Sequence, residues 1–509
     1  MDILQSLAFG FQVALTPQNL FYCFLGTVLG TAVGVLPGLG TITGVALLIP
    51  ATLGMNPTSA LIMLAGIYYG AQYGGSTTAI LMNLPGESTA VMTCIDGHQM
   101  ARQGKAGQAL GMAAMASFIA GTVGVVGLML IAPTLAKVAL SFGPPEYAAL
   151  MMLSLTTIGG LLGESVIKGL IMALLGLMIG TVGIDTQSGA QRFTFGMPEL
   201  LGGIGFLPVI IGLFGVAEVF ENIERKLRSE AIGGKIHKLL PGMAEWIAVR
   251  MSIVRGTLVG FFLGTLPGVG ATAATMLAYV AERRASRTPE RFGKGAIEGV
   301  AAPEAANNAA ATGAMVPLLT LGIPASGTAA VMLGALILND VRPGPRLFET
   351  NPDLVWGLIA SMYIGNVMLL ILNLPLIGIW VRLVRIRYEI LGPATLLFAF
   401  IGVYATDLNP FDVYIMIVAG MAGYLLRKLR FPEGPVILGL VLGPLLEEQV
   451  RRSLTLSLGD PTIFVSRPIS GTIMALAVIS LLLPLIRAVR ARRRDSEAMQ
   501  DGAGSPPPA

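Results

Sequence analysis

Apolar stretches long enough to cross a lipid bilayer recur along nearly the whole chain, and this recurrence limits the fold more than any other feature. A membrane-spanning helix needs about 20 mostly apolar residues. Candidate segments lie at 20–50, 59–82, 107–135, 147–163, 165–183, 199–220, 251–280, 303–338, 354–381, 388–406, 412–426 and 470–486. Only 12% of the residues are charged and 54% are hydrophobic, which excludes a soluble globular protein. The predicted fold class is therefore an all-α polytopic membrane protein.

Basic residues between these segments orient the chain in the membrane. They concentrate in 221–255, in 282–294 and after residue 486, and the positive-inside rule places all three regions in the cytoplasm. Residues 1–15 are expected to form a short interfacial helix, and 434–446 are apolar but short. The predicted domains are membrane repeat 1 at 1–228, a cytoplasmic linker at 229–250, membrane repeat 2 at 251–486, and a basic, then disordered cytoplasmic tail at 487–509.

The two membrane regions carry the same motifs in the same order. Residues 26–44 read GTVLGTAVGVLPGLGTITG and residues 256–274 read GTLVGFFLGTLPGVGATAA, with eight of nineteen positions identical at an offset of 230. A second match, at an offset of 239, aligns NLPGESTA (83–90) with GIPASGTA (322–329). Two matches in one order favour duplication over a chance similarity of glycine-rich segments.

The loops after these motifs indicate that the two copies have opposite orientations. The loop 51–58 has no charge, whereas its counterpart 282–294 has five basic residues. The next loop, 96–105, is basic, whereas its counterpart 339–353 is net acidic. Inverted-topology repeats of this kind are typical of secondary transporters.

Each copy contains two helices that glycine and proline are expected to break. Residues 251–281 lie between basic flanks and are too few for two spans, so a re-entrant hairpin with LPGVG (266–270) at its tip is predicted. Symmetry predicts the same for LPGLG (36–40). Exposed backbone at membrane depth is tolerated only where it lines a cavity. The alternative is that these glycines serve packing or turns alone.

The second pair of tips, 83–89 and 322–328, predicts an anion site. Ser88 and Thr89, and likewise Ser326 and Thr328, are expected to cap outgoing helices. A helix N-terminus binds a carboxylate through its free N–H groups without any buried Lys or Arg, and those stretches contain almost none. The C-terminal carbonyl groups of the incoming helix lie nearby, and such carbonyl oxygens suit a small cation.

These considerations define the candidate residues. The predicted substrate-binding residues are Gly38, Gly40, Tyr73, Ser76, Thr77, Asn83, Pro85, Gly86, Ser88, Thr89, Gly268, Gly270, Pro324, Ser326, Gly327 and Thr328. The predicted ion-binding residues are Thr41, Thr43, Thr272, Asn307 and Asn308. Glu87 and Glu304 are read either as ion ligands or as water-facing caps. The polar residues within spans have a competing role as hydrogen-bonding contacts between helices.

The same residues resemble a known family. YYGAQYGGSTTAILMNLPGEST, DGHQMARQGKAGQAL and PEAANNAAATGAMVPLLTLGIPASGTAAVMLGAL are similar to the large membrane subunit of the tripartite tricarboxylate transporters, and the resemblance covers nearly all of 20–486. It implies a bacterial inner-membrane permease for citrate-like di- and tricarboxylates. It also implies two partners, a small four-helix membrane subunit and a periplasmic solute-binding protein, with uptake driven by sodium or protons.

Neutral oxygens at the tips favour sodium over protons as the coupling ion, and no other cofactor, metal or nucleic acid is expected. The chain has no GxxxxGK[ST] motif for nucleotide and no HExxH or GxSxG motif for hydrolysis, so an enzyme is not expected. The alternative function is a non-transporting membrane scaffold or assembly subunit, which does not account for paired broken helices.

Overall fold

A computed structural model describes residues 3–36, 38–161, 165–185, 187–225, 238–268, 270–384, 386 and 388–482. The tail predicted at 487–509 and residues 229–237 of the predicted linker lie outside the described residues. The helices of the first half are α1 (Ile3–Ala14), α2 (Pro17–Val35), α3 (Gly40–Leu48), α4 (Pro57–Met82), α5 (Val91–Arg102), α6 (Ala106–Ala139), α7 (Pro144–Leu161), α8 (Val166–Gly180), α9 (Phe206–Ile210) and α10 (Ala217–Arg225).

The second half is also helical. Its helices are α11 (Met243–Thr265), α12 (Gly270–Ala285), α13 (Glu298–Leu321), α14 (Gly327–Leu338), α15 (Leu347–Thr350), α16 (Pro352–Asn373), α17 (Ile377–Leu383), α18 (Tyr388–Asp407), α19 (Pro410–Lys428), α20 (Gly434–Leu456), α21 (Ile463–Ser466) and α22 (Pro468–Leu482). A π-helical segment, Ile211–Val216, joins α9 to α10. The strands β1 (Gly183–Ile184) and β2 (Gln191–Arg192) form one short antiparallel pair.

By length and composition, seven helices of the described residues are able to cross a membrane. They are Pro17–Val35, Ala106–Ala139, Phe206–Glu224, Met243–Thr265, Pro352–Asn373, Tyr388–Asp407 and Pro410–Lys428. These helices confirm an all-α, multi-pass membrane protein.

A stripe of glycines packs helix against helix in both halves. A Cβ atom at Gly26, Gly30 or Gly34 of α2 would meet the α4 backbone, at Met63, Ile67 and Ala71 respectively. A Cβ atom at Gly256, Gly260 or Gly264 of α11 would meet the α13 backbone, at Ala302, Ala306 and Ala310. The glycines differ by 230 and their partners by 239, which are the two offsets found in the sequence. Small residues allow backbones to approach this closely.

The helices break where the glycine and proline motifs predict. Gly38 and Gly268 follow α2 and α11 with the same φ of 85°, a conformation that favours glycine. The longer helices α4 and α13 are followed by Asn83 and Gly322, which both have a left-handed backbone conformation. These two residues are also 239 positions apart. The two halves therefore share helix order, packing and breaks, whereas their opposite orientation stays a prediction.

Two helices extend beyond the apolar segments seen in the sequence. The linker 229–250 was expected to end at residue 250, but α11 begins at Met243 because the apolar pattern continues through its basic residues. Arg255 lies within α11 and pairs with Glu282 of α12 at 3.0 Å (Nε–Oε2). The short segment 434–446 lies in the longer helix α20, Gly434–Leu456, because its polar last turns continue the helix.

Two smaller elements pack against the helices. The predicted N-terminal helix is α1, and its Gly10 lies against the backbone of Trp356 in α16. The β1–β2 turn is held to α20 by Asp185, whose carboxylate binds Arg451 at 2.9 Å. The pKa of Asp185 is held well below its usual range, first by a hydrogen bond from the Gln187 backbone N–H. Side-chain hydrogen bonds from Ser188 and Arg451 also lower this pKa.

Candidate functional site

One cavity of about 390 Å³ lies where the four helix breaks meet. Predicted residues from all four tips line it, so segments up to 290 residues apart in the chain form one surface. The predicted residues in its lining are Gly38, Gly40, Thr41, Thr43, Pro85, Gly86, Ser88, Thr89, Gly270, Thr272, Ser326, Gly327 and Thr328. The size is within the range of small-molecule sites.

Glu87 is a buried carboxylate in this lining. It belongs to the break between α4 and α5 and is only 8% exposed. Thr41 and Thr89 donate hydrogen bonds to its two carboxylate oxygens, and Asn307 Nδ2 lies 3.3 Å from Oε1. Among the described residues, none of the ion pairs includes Glu87. It is therefore not the water-facing cap that was one of its two interpretations.

Each half supplies a side chain to the tip of the other half. Asn307 of α13 reaches Glu87, while Tyr68 of α4 reaches Ser326. Tyr68 and Asn307 are 239 residues apart, and so are Glu87 and Ser326. The two contacts are thus equivalent under the internal repeat, although the side chains differ.

The predicted caps are present on one side only. Ser326 caps α14, accepting a hydrogen bond from the backbone N–H of Ala329 at 3.2 Å. Capping by Ser88 and Thr89 was wrong, because a 3₁₀ turn at Ser88–Ala90 precedes α5 and places these side chains elsewhere. Thr89 donates to Glu87 instead, and Ser88 Oγ lies 2.9 Å from Thr272 Oγ1.

Some predicted residues lie away from the cavity. Tyr73, Ser76 and Thr77 line a separate, smaller cavity together with Glu304. Asn308 bonds to the carbonyl of Glu304 in its own helix at 3.4 Å, so only one of the two asparagines reaches a tip. Asn83, Pro324 and Gly268 lie in the helix breaks but do not line the cavity, and the Gly268 N–H binds the Ala325 carbonyl at 3.2 Å.

Sequence reasoning missed a charged group in the cavity. The stretches near the tips contain almost no Lys or Arg, but Arg427, at the end of α19 in another part of the chain, lines the cavity together with Glu218. Its guanidinium pairs with Glu218 at 2.7 Å, Glu221 at 3.0 Å and Glu433 at 2.6 Å. The available signal was a basic residue at the end of the apolar segment 412–426.

The cavity carries two kinds of binding groups. The oxygens of Glu87 and its hydroxyl neighbours are ligands suited to a hard cation. Gln72 lines the cavity, and Asn307 contacts Glu87 but does not itself line the cavity. Gln72 Oε1 and Asn307 Oδ1 are buried acceptors without a donor among the described residues, which adds to that preference. The hydroxyls of Ser88, Thr272 and Thr328 provide donors for an anion. The arrangement can therefore hold a carboxylate and a cation close together.

Comparisons with known proteins agree with this architecture. A family model described as the tripartite tricarboxylate transporter TctA family matches residues 20–438. An "uncharacterized 52.8 kDa protein in TAR-I ttuC′ 3′ region" of Agrobacterium vitis is 50% identical over 493 residues, covering 97% of this chain and 98% of that protein. An "uncharacterized protein in TAR-II ttuC′ 3′ region" of the same organism is 50% identical over 234 residues, 46% of this chain and 97% of that protein. No solved structure matches.

Proposed function

Because the chain belongs to the tripartite tricarboxylate transporter TctA family, we propose that it is the permease subunit that moves di- or tricarboxylates across the bacterial inner membrane. Uptake is driven by an ion gradient and depends on a periplasmic solute-binding protein and a small four-helix membrane subunit. The observation that carries the proposal is the meeting of four broken helices at one cavity whose lining includes hydroxyl, amide and carboxylate side chains. A scaffold has no need for such a cavity.

The substrate carboxylates bind to hydroxyls and to helix N-termini. Thr328 lies in the first turn of α14, and the N-terminal residues Ser326, Gly327 and Thr328 line the cavity. Arg427 contributes less than its charge suggests, because three carboxylates already surround it. Binding without a free basic side chain lets the anion leave again, as transport requires.

The coupling ion is sodium, bound at Glu87. This carboxylate, Thr41 and Asn307 offer oxygen ligands from both halves of the chain. A cation carried with the substrate offsets the cost of moving negative charge toward a negative interior, about 2.3 kcal/mol per charge per 100 mV. A proton carried on Glu87 is the competing choice.

The two halves have opposite orientations in the membrane. The charge difference between the loops 51–58 and 282–294 supports this orientation. A re-entrant hairpin in the second half is supported by Arg255 and Glu282, which pair about 16 Å along α11 from its tip at 1.5 Å per residue. That distance is half the hydrocarbon thickness of roughly 30 Å, as a re-entrant hairpin needs. A single cysteine in 51–58 should react with a membrane-impermeant reagent from the periplasm, and one in 283–291 only from the cytoplasm. Labelling of both from one side would contradict opposite orientations.

Uptake of labelled citrate into proteoliposomes, with the partner proteins present, tests the function. We expect an imposed sodium gradient at constant pH to drive uptake, because the sites at the tips are built from oxygens. Thr328→Ala should raise the citrate concentration for half-maximal uptake about tenfold, the value of one lost charge-assisted hydrogen bond. Asn307→Ala should raise the sodium requirement instead.

The controls separate the alternatives. Thr134→Ala removes a hydroxyl from an exposed site on α6, where it binds only the Leu130 carbonyl, and should leave uptake unchanged. Uptake that needs a proton gradient, ignores sodium and vanishes in Glu87→Gln would replace sodium with protons. No uptake with any gradient, from correctly assembled partners, would favour the scaffold.

A further inference from the structure

A second polar cavity lies outside the tip cavity. It measures about 10 Å³, close to the space that a single water-sized particle occupies. Helices α4, α6, α13 and α16 surround it, and α17 closes one side. Its polar lining consists of Tyr73, Ser76, Thr77, Ser117, Glu304 and Asn373.

The carboxylate of Glu304 is buried in this cavity without a balancing charge. The side chain is 1% exposed, two turns inside α13. Three hydroxyls donate to it: Ser76 at 2.7 Å, Ser117 at 3.2 Å, and Thr93. None of the ion pairs between described residues includes it. Three donors favour the ionised carboxylate, but a buried charge is costly unless a counter-charge is close.

A buried acceptor without a donor faces the same space. Asn373 is 3% exposed, and its Nδ2 binds the Leu369 carbonyl at 3.0 Å. Its Oδ1 has no hydrogen-bond partner among the described residues. Tyr73 gives its hydroxyl hydrogen to Asn366 at 2.7 Å, which leaves the lone pairs of its oxygen available. An oxygen-binding cation would satisfy Asn373 and neutralise Glu304 at once.

We propose that this cavity is a second cation site, which holds one dehydrated sodium ion between Glu304, Asn373 and the neighbouring hydroxyls. The ligands are all hard oxygens. A divalent ion such as Mg²⁺ does not fit, because it keeps several waters and the cavity has room for only about one water-sized particle. The inference rests on the proposed function in one respect: a sodium ion here adds to the ion bound at Glu87 in each transport cycle.

Equilibrium binding of ²²Na⁺ to the purified full-length protein in detergent tests the site without substrate, partners or uptake. We expect wild type to bind sodium at two classes of site. Glu304→Gln should lose one class and keep the other, and Glu87→Gln should do the reverse. Ser117→Ala and Asn373→Leu, which keep the carboxylate, should weaken one class by about tenfold each.

Asn339→Leu is the matched control for Asn373→Leu. Asn339 Nδ2 makes the same bond to the carbonyl four residues earlier, at 2.8 Å, but Asn339 lies outside the cavity. Sodium binding by the Asn339→Leu variant should therefore equal that of wild type. Thermal unfolding and gel filtration establish which variants are folded, and Ser117→Ala decides the question if Glu304→Gln does not fold.

Unchanged sodium number and affinity in folded Ser117→Ala and Asn373→Leu would overturn the second site, and a water molecule would then satisfy Asn373. This result leaves the proposed function intact, because uptake and the Glu87 site are measured separately. Loss of uptake with both sodium sites present would instead refute the function and retain the site.

Discussion

Replacing Gly38 with valine is expected to reduce carboxylate uptake by a factor of about ten to a hundred while the protein remains in the membrane. Gly38 has a φ of 85°, where a β-branched residue is strained by roughly 1–3 kcal/mol. Its Cβ atom would also meet the side-chain amide of Asn222. Gly268 has the same φ and should respond alike. Uptake of citrate into proteoliposomes measures the effect.

Gly434→Val is the matched control for this prediction. Gly434 lines the same cavity, is not among the glycines with positive φ, and a Cβ atom there would meet nothing within 4 Å. Uptake by this variant should stay within about twofold of wild type, which corresponds to a change in activation free energy of less than about 1 kcal/mol. Wild-type uptake by both Gly38→Val and Gly268→Val would mean that the tips are not the site.

The second large effect is expected at Arg427. Replacing it with alanine leaves Glu218, Glu221 and Glu433 close together without their shared cation. Removing one partner of a buried ion network costs about 3–5 kcal/mol, because the remaining charges stay desolvated. We expect a corresponding drop in the midpoint of thermal unfolding in detergent, with the segment Phe206–Glu224 loosened from α19.

Lys428→Ala provides the comparison on the adjacent residue. Lys428 pairs with Glu224 at 2.9 Å, but both side chains are half exposed, so its loss should cost less than about 1 kcal/mol. An equal drop in the midpoint of thermal unfolding in both variants would indicate that burial of the Arg427 network does not add to stability. Arg427→Lys should recover part of the stability, since it keeps the charge but not the planar fork.

Local chemistry explains what the sequence could predict. Helix lengths and breaks depend on apolar length and on glycine and proline within a few residues, so the breaks after α2, α4, α11 and α13 were predictable. The repeat was predictable because its offsets of 230 and 239 survive in the helix contacts. The missed boundary at Met243 shows the limit, because charged residues at a helix end do not stop it.

Contacts between distant segments explain what it could not predict. Two of the three partners of Glu87 lie 46 and 220 residues away in the chain, so its interpretation as ligand or cap could not be decided from its neighbours. Arg427 enters the cavity through the packing of α19 against the segment Phe206–Glu224, which no local pattern encodes. Ser88 is a residue type that commonly caps helices, but it lies in a 3₁₀ turn, and this turn determines where its side chain points.

The exchange of side chains between the halves has a thermodynamic consequence. Asn307 completes the tip of the first half and Tyr68 completes the tip of the second, so neither tip has its full set of contacts in isolation. A shift of one half against the other would withdraw a partner from both tips in the same movement. Ligand binding at either tip and the relative position of the halves are therefore thermodynamically coupled. A ligand that stabilises one arrangement of the halves binds more tightly to that arrangement, by the same free energy.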